Sequence, residues 1–172
     1  MSRKKPLISP KKLAVLAFLL AVSMIFSYVE SLIPLSLGAP GIKMGLPNII
    51  TVFLLYTLGK KEAILVSLLR VLLTALLFGN LFSLIYSLSG AVLSFLVMAL
   101  LQKTGLFRTV TVSVTGACAH NLAQILAAMV ILGFKEILYY LPYLLLSGVV
   151  SGIIIGIVSA VFIRRFKGLI QL

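Results

Sequence analysis

Ala63-Ile64-Leu65-Val66-Ser67-Leu68-Leu69-Arg70-Val71-Leu72-Leu73-Thr74-Ala75-Leu76-Leu77-Phe78 is an apolar run with one permanent cation at its midpoint. A guanidinium does not deprotonate in a protein, and at a bilayer centre it costs about 3 kcal/mol or more. The chain has no aspartate to pair with it; its three acidic residues are Glu30, Glu62 and Glu136. Such a charge persists only with a partner or a polar pocket, so the run is read as a membrane helix that carries function.

The remainder of the chain has the same character. Hydrophobic residues make up 62% and charged residues 10% of the 172 positions, and the mean hydropathy is +1.24. Soluble domains hold about 45–50% apolar and about 25% charged residues, so the composition indicates an all-α integral membrane protein. A net charge of +12 invites a nucleic-acid reading. The basic residues, however, lie between apolar runs and form no aromatic-interleaved patch, so no nucleic-acid partner is expected. The single cysteine, Cys118, excludes an intramolecular disulfide and a multi-cysteine metal site.

Charges, glycines and prolines divide the chain into six candidate spans, 13–33, 44–58, 63–78, 81–101, 110–132 and 141–163. A basic segment, 1–12, precedes this 13–165 membrane domain, and a tail, 166–172, follows it. The second and third spans are short of the roughly 20 residues a crossing needs. They must thin the bilayer, begin in the loops, or face protein. With the N-terminus cytoplasmic, the inner segments hold Arg3, Lys4, Lys5, Lys11, Lys12, Lys60, Lys61, Lys103, Arg108, Arg164, Arg165 and Lys167. The outer loops hold Lys43 and Lys135 alone. The positive-inside rule therefore puts both termini in the cytoplasm. The first span resembles a secretory signal with Ser36-Leu37-Gly38 after it, but it is long for one, and its removal would spoil the charge alternation. It is expected to be retained.

Small residues indicate where helices approach closely. Gly148, Gly152, Gly156 and Ala160 recur every fourth position on the last span, as do Ala119, Ala123 and Ala127 on the fifth and Ala17 and Ala21 on the first. The glycine series is read as packing within the bundle. Polar residues also align at 100° per residue. Ser67, Arg70 and Thr74 share one arc; Asn80, Ser83, Ser87, Gly90 and Ser94 form a stripe; His120, Asn121 and Gln124 share another arc; Asn48 and Thr51 face one way. The economical packing turns these stripes towards one cavity, with Arg70 and His120 at similar depth.

Each residue also has a structural reading. Serines in membrane helices commonly bond their own i−4 carbonyl. Asn48 can compensate the backbone opened by Pro47, His120 can bridge helices as a neutral group, and Arg70 can pair architecturally with Glu30. Catalysis is not indicated. Magnesium-dependent phosphate chemistry needs carboxylate clusters, and Gly59-Lys60-Lys61 lacks the flanking residues of a P-loop. One histidine makes neither a triad nor a zinc site. No catalytic residue, metal or cofactor is expected.

Three stretches carry a resemblance: Lys43-Met44-Gly45-Leu46-Pro47-Asn48-Ile49, Leu69-Arg70-Val71-Leu72 and Ala119-His120-Asn121-Leu122-Ala123-Gln124. Together and in order they resemble the Gx transporter family, also labelled heptaprenyl diphosphate synthase component I. That family is similar to the substrate-binding S components of energy-coupling factor (ECF) transporters, six-helix cell-membrane proteins with cytoplasmic termini. The resemblance implies a T subunit and two ATPase subunits as partners. It also implies an alanine-x-x-x-alanine docking face, which Ala17 and Ala21 match. The aspartate-rich motifs of prenyl diphosphate synthases are missing, so the label implies carriage of a prenyl or quinone-related compound rather than its synthesis.

These readings converge on one expectation. The loop 36–43 acts as an outer lid over a pocket for a small-molecule substrate. Arg70 and Lys43 attract an anionic or polar group, and Asn48, Asn80, His120, Asn121 and Gln124 supply hydrogen bonds. The rivals are an accessory subunit without transport, which binds lipid or a membrane enzyme, and an enzyme acting on isoprenoid diphosphates.

Overall fold

The computed structural model describes residues 9–32, 44–166 and 168. The expected lid, 36–43, and its Lys43 lie outside the described residues. Among the described residues six α-helices are formed: α1 (Pro10–Leu32), α2 (Asn48–Thr57), α3 (Lys60–Phe78), α4 (Leu81–Thr104), α5 (Thr109–Leu132) and α6 (Leu141–Phe166), with a 3₁₀ segment, Lys135–Tyr140, leading into α6.

The helices begin and end where local chemistry requires. Pro10, the first helical residue of α1, has no amide hydrogen to leave unpaired. Asn80 caps α4, its side chain accepting from the Ser83 amide at 2.8 Å. Gly105 and Gly133 end α4 and α5 with φ of 69° and 72°, a left-handed turn that glycine takes without strain.

Length and composition separate the helices into classes. Pro10–Leu32, Leu81–Thr104, Thr109–Leu132 and the continuous Lys135–Phe166 are long and apolar enough to cross a membrane. This is the architecture of a membrane protein. Helix α3, at 19 residues, reaches about 28 Å at 1.5 Å per residue, but it carries Lys60, Lys61, Glu62 and Arg70. Within 44–58, which the sequence marks as too short for a straight crossing, the helix is shorter still. Only Asn48–Thr57 is helical, ten residues or about 15 Å, half a hydrocarbon core. Positive φ at Gly45 and the ring of Pro47 hold the preceding residues in a turn. Ile49 to Leu55 are all buried, so α2 faces protein rather than lipid.

The strongest packing joins α5 to α6 and to α4; α2 lies against α3 and α6, and α1 against α3. The glycine series of α6 makes the first of these contacts, as its spacing indicates. A Cβ at Gly152 would stand 2.6 Å from Val114 Cα, and one at Gly156 2.7 Å from Val110 Cα. Close backbone approach is the main adhesive where lipid removes the hydrophobic drive.

One end of the bundle is basic. The Lys12 ammonium bonds Glu62 at 2.5 Å, which brings the starts of α1 and α3 together. Lys11 of α1, Lys60 and Lys61 of α3, the short α4–α5 turn with Lys103 and Arg108, and the end of α6 with Arg164 and Arg165 add further positive charge. Behind this end lies a solid apolar core, with Leu16 and Leu19 of α1, Phe53 and Leu54 of α2, Val66 of α3, Met98 of α4 and Val112 of α5. Large apolar side chains such as Phe18, Leu76, Leu100 and Leu146 point outward, as lipid-facing residues do. The opposite half of the bundle is hollow.

Candidate functional site

That hollow is a cavity of about 180 Å³. Helix α1 contributes Ser27, Glu30 and Ser31, and the turn into α2 adds Met44, Gly45, Pro47 and Asn48. Arg70, Val71, Thr74, Ala75 and Phe78 come from one face of α3. Ser83 and Ser87 of α4, His120 and Asn121 of α5, and Ser151 and Ile155 of α6 complete it. Each of the α-helices described thus presents a polar group to one space, α2 through Asn48 at its first position.

Arg70 dominates the electrostatics. Its Nη1 donates to Ser27 Oγ at 3.4 Å, and Ser27 Oγ in turn donates to the Ser23 carbonyl at 3.1 Å. The serine hydrogen is committed along its own helix, so its lone pairs are left to accept from the guanidinium. Arg70 Nε is buried with no hydrogen-bond acceptor, and one turn on, the Thr74 hydroxyl is also buried without a partner. A buried donor left unpaired costs about 1–3 kcal/mol, and more when charged. Two such atoms on the same wall constitute an unmet demand for an acceptor. Glu30 stands in the same cavity and attracts Arg70 through space, while its carboxylate accepts from the Gly45 amide and fastens the end of α1 to the turn before α2.

His120 reaches the cavity because its neighbour has no side chain. A Cβ at Gly90 of α4 would lie 2.6–2.8 Å from three atoms of the imidazole. Asn121 has two tasks: it lines the cavity, and its Nδ2 donates to the Leu144 carbonyl of α6 at 2.6 Å.

The structure therefore gathers Arg70, Asn48, His120 and Asn121 around one space. Gln124, one turn beyond His120, is not among the lining residues, and Asn80 is engaged as the cap of α4. Ala17 and Ala21 lie exposed on α1, remote from the cavity. Sequence reasoning missed Ser27 and Ser151. For Ser27 a signal existed: Ser23, Ser27 and Glu30 fall on one arc of α1, with the two serines buried.

The sequence profile of heptaprenyl diphosphate synthase component I matches residues 19–162, from within α1 to near the end of α6. The chain belongs to that family. The match takes in every residue described above as lining the cavity. No curated protein and no solved structure matches the chain. The family description names a component and not an activity, so chemistry must be argued from the cavity.

Proposed function

We propose that this family member is the substrate-binding membrane subunit, the S component, of an ECF-type ATP-driven uptake transporter. The observation that carries the reading is Arg70, a cation with a buried unpartnered Nε in the wall of a polar cavity inside an apolar bundle. Ionisable groups at such depth mark substrate or ion pathways. The substrate is a small polar or anionic compound, or one related to prenyl or quinone metabolism, held by Arg70, Asn48, His120 and Asn121. The chain itself is no enzyme on this reading, and energy comes from a T subunit and two ATPase subunits.

The six helices then sit in the cell membrane with the basic end in the cytoplasm, both termini on that side, and the cavity towards the outside. The turn at Met44–Pro47 and the buried α2 together take the place of one full crossing. Ala17 and Ala21, exposed beside Leu13 and Phe18 on α1, form the face that meets the T subunit. Replacing both alanines by leucine should abolish co-purification with T and ATPase subunits and ATP-dependent uptake in vesicles, with ligand binding intact. Undiminished assembly by the double variant would contradict this docking face.

The family description favours a second reading, a non-catalytic accessory subunit linked to heptaprenyl diphosphate metabolism. Co-purification with a prenyl synthase subunit, and not with ATPase subunits, would favour it over transport.

A further inference from the structure

We infer that residues 134–143 form a lipid-binding surface, which lies along the headgroup layer of the leaflet opposite the basic end. This requires that α5 and α6 cross the membrane, and it holds whatever the cavity binds.

Helix length supplies the first argument. A hydrocarbon core is about 30 Å thick, and about 40–45 Å with both headgroup layers. Arg108 precedes α5, whose 24 residues rise about 36 Å before ending at Leu132. With Arg108 at one boundary of the core, Gly133 and Phe134 emerge about 6 Å beyond the other, among the headgroups. On α6, Arg164 and Tyr143 stand about 32 Å apart, so the chain re-enters the acyl layer close to Tyr143. Both ends of the connection are thus held at one boundary. Between them the six residues of Lys135–Tyr140 span about 12 Å at the 3₁₀ rise and pack against both α5 and α6.

Side-chain chemistry supplies the second. None of Lys135–Tyr140 is buried. Of the chain's six tyrosines, three are Tyr139, Tyr140 and Tyr143, and they are 80%, 47% and 66% exposed; Phe134 is 63% exposed. A loop in water has no reason to show four large rings, and a helix face in acyl chains has no use for three hydroxyls. A tyrosine has an apolar body and a polar tip, the combination enriched where acyl chains meet headgroups. Lys135 and Glu136 stand exposed beside the rings with opposite charges, so the surface suits phospholipid headgroups in general and not anionic ones alone. Just inside this rim the Leu144 carbonyl accepts from Asn121 of the cavity wall. The anchor therefore sets the depth at which α5 and α6 hold their cavity residues.

The chain has no tryptophan, so a single introduced indole reports its own depth. Tyr139→Trp and, separately, Phe134→Trp are reconstituted as full chains in phosphatidylcholine vesicles whose lipids carry bromine either high on the acyl chain or near its end. Ile154→Trp, exposed near the middle of α6, is the control. Both rim variants should lose more fluorescence to the high bromine than to the deep one, and the control should show the reverse. Adding phosphatidylglycerol should leave the pattern unchanged. Rim indoles that escape both bromines while acrylamide quenches them lie in water, on a surface open to a protein partner, and overturn the inference. Stronger quenching of the rim by the deep bromine places the segment among acyl chains and overturns it too, as does rim quenching that appears only with phosphatidylglycerol. A control that neither bromine quenches shows that α6 does not cross, which removes the crossing on which the surface depends.

Discussion

The imidazole of His120 fills the space that a side chain at Gly90 would take: a Cβ there lies 2.6 Å from Cε1 and 2.7 Å from Nε2 of the ring. The helix α4–α5 contact and the position of a cavity residue are therefore one piece of packing. Gly90→Ala should lower stability by about 1–3 kcal/mol, the usual cost of overpacking, and His120→Ala in the same chain should restore most of it. Thermal melting of the single and double variants in detergent checks this. A single variant that melts like the wild type would show that the ring does not rest on Gly90.

The basic end offers a pH test. The Lys12 ammonium, by hydrogen bonding, holds the Glu62 carboxyl below its ordinary value of 4.5. A carboxyl depressed on folding adds stability that is complete above its unfolded value and is lost as pH falls through the folded one. Melting temperature should thus be insensitive to Glu62 from pH 6 to 8 and decline below about 4.5. The difference from Glu62→Gln should shrink over that lower range. The pair is partly solvated, so the effect should stay within about 1 kcal/mol. A difference that grows as pH falls would contradict the assignment.

Much of this fold is legible in the sequence, for a physical reason. Apolar runs bounded by glycine and charge locate α4 and α5 to within a few residues, since caps such as Asn80 and Gly133 are local chemistry. The α6 glycines announce close packing because only backbone approach explains their spacing. The length of α2 is not legible: Met44 to Pro47 is as apolar as a span, and the turn there depends on Gly45 taking positive φ and on Glu30 accepting its amide. The cavity is legible through Arg70 and His120, whose burial in lipid would be costly. Gln124 and Asn80 share their arcs but do not line the cavity, which angular position alone does not report. Ser27 passes as an ordinary back-bonded serine, which it also is.

The proposed membrane orientation rests on the charge at the basic end. Cysteines introduced beside Lys60 and Arg108 should react with impermeant thiol reagents only from the cytoplasmic face, and one beside Gly133 only from outside. The native Cys118 should first be replaced by alanine. Labelling of the Gly133 site from the same face as the Arg108 site would mean that α5 does not cross, and the proposed topology would fall.

The central claim is that Arg70 binds an anionic ligand. The decisive measurement pairs ligand affinity with thermal stability for Arg70→Met and for Arg70→Met combined with Glu30→Gln. If Arg70 is the binding residue, the single variant folds, and affinity falls by roughly 2–5 kcal/mol, the cost of truncating one side of a buried charged contact. Arg70→Lys recovers only part, because an ammonium lacks the guanidinium fork. If Arg70 is instead an architectural partner of Glu30, affinity is unchanged, stability drops in the single variant, and Glu30→Gln restores it; that result would contradict the account.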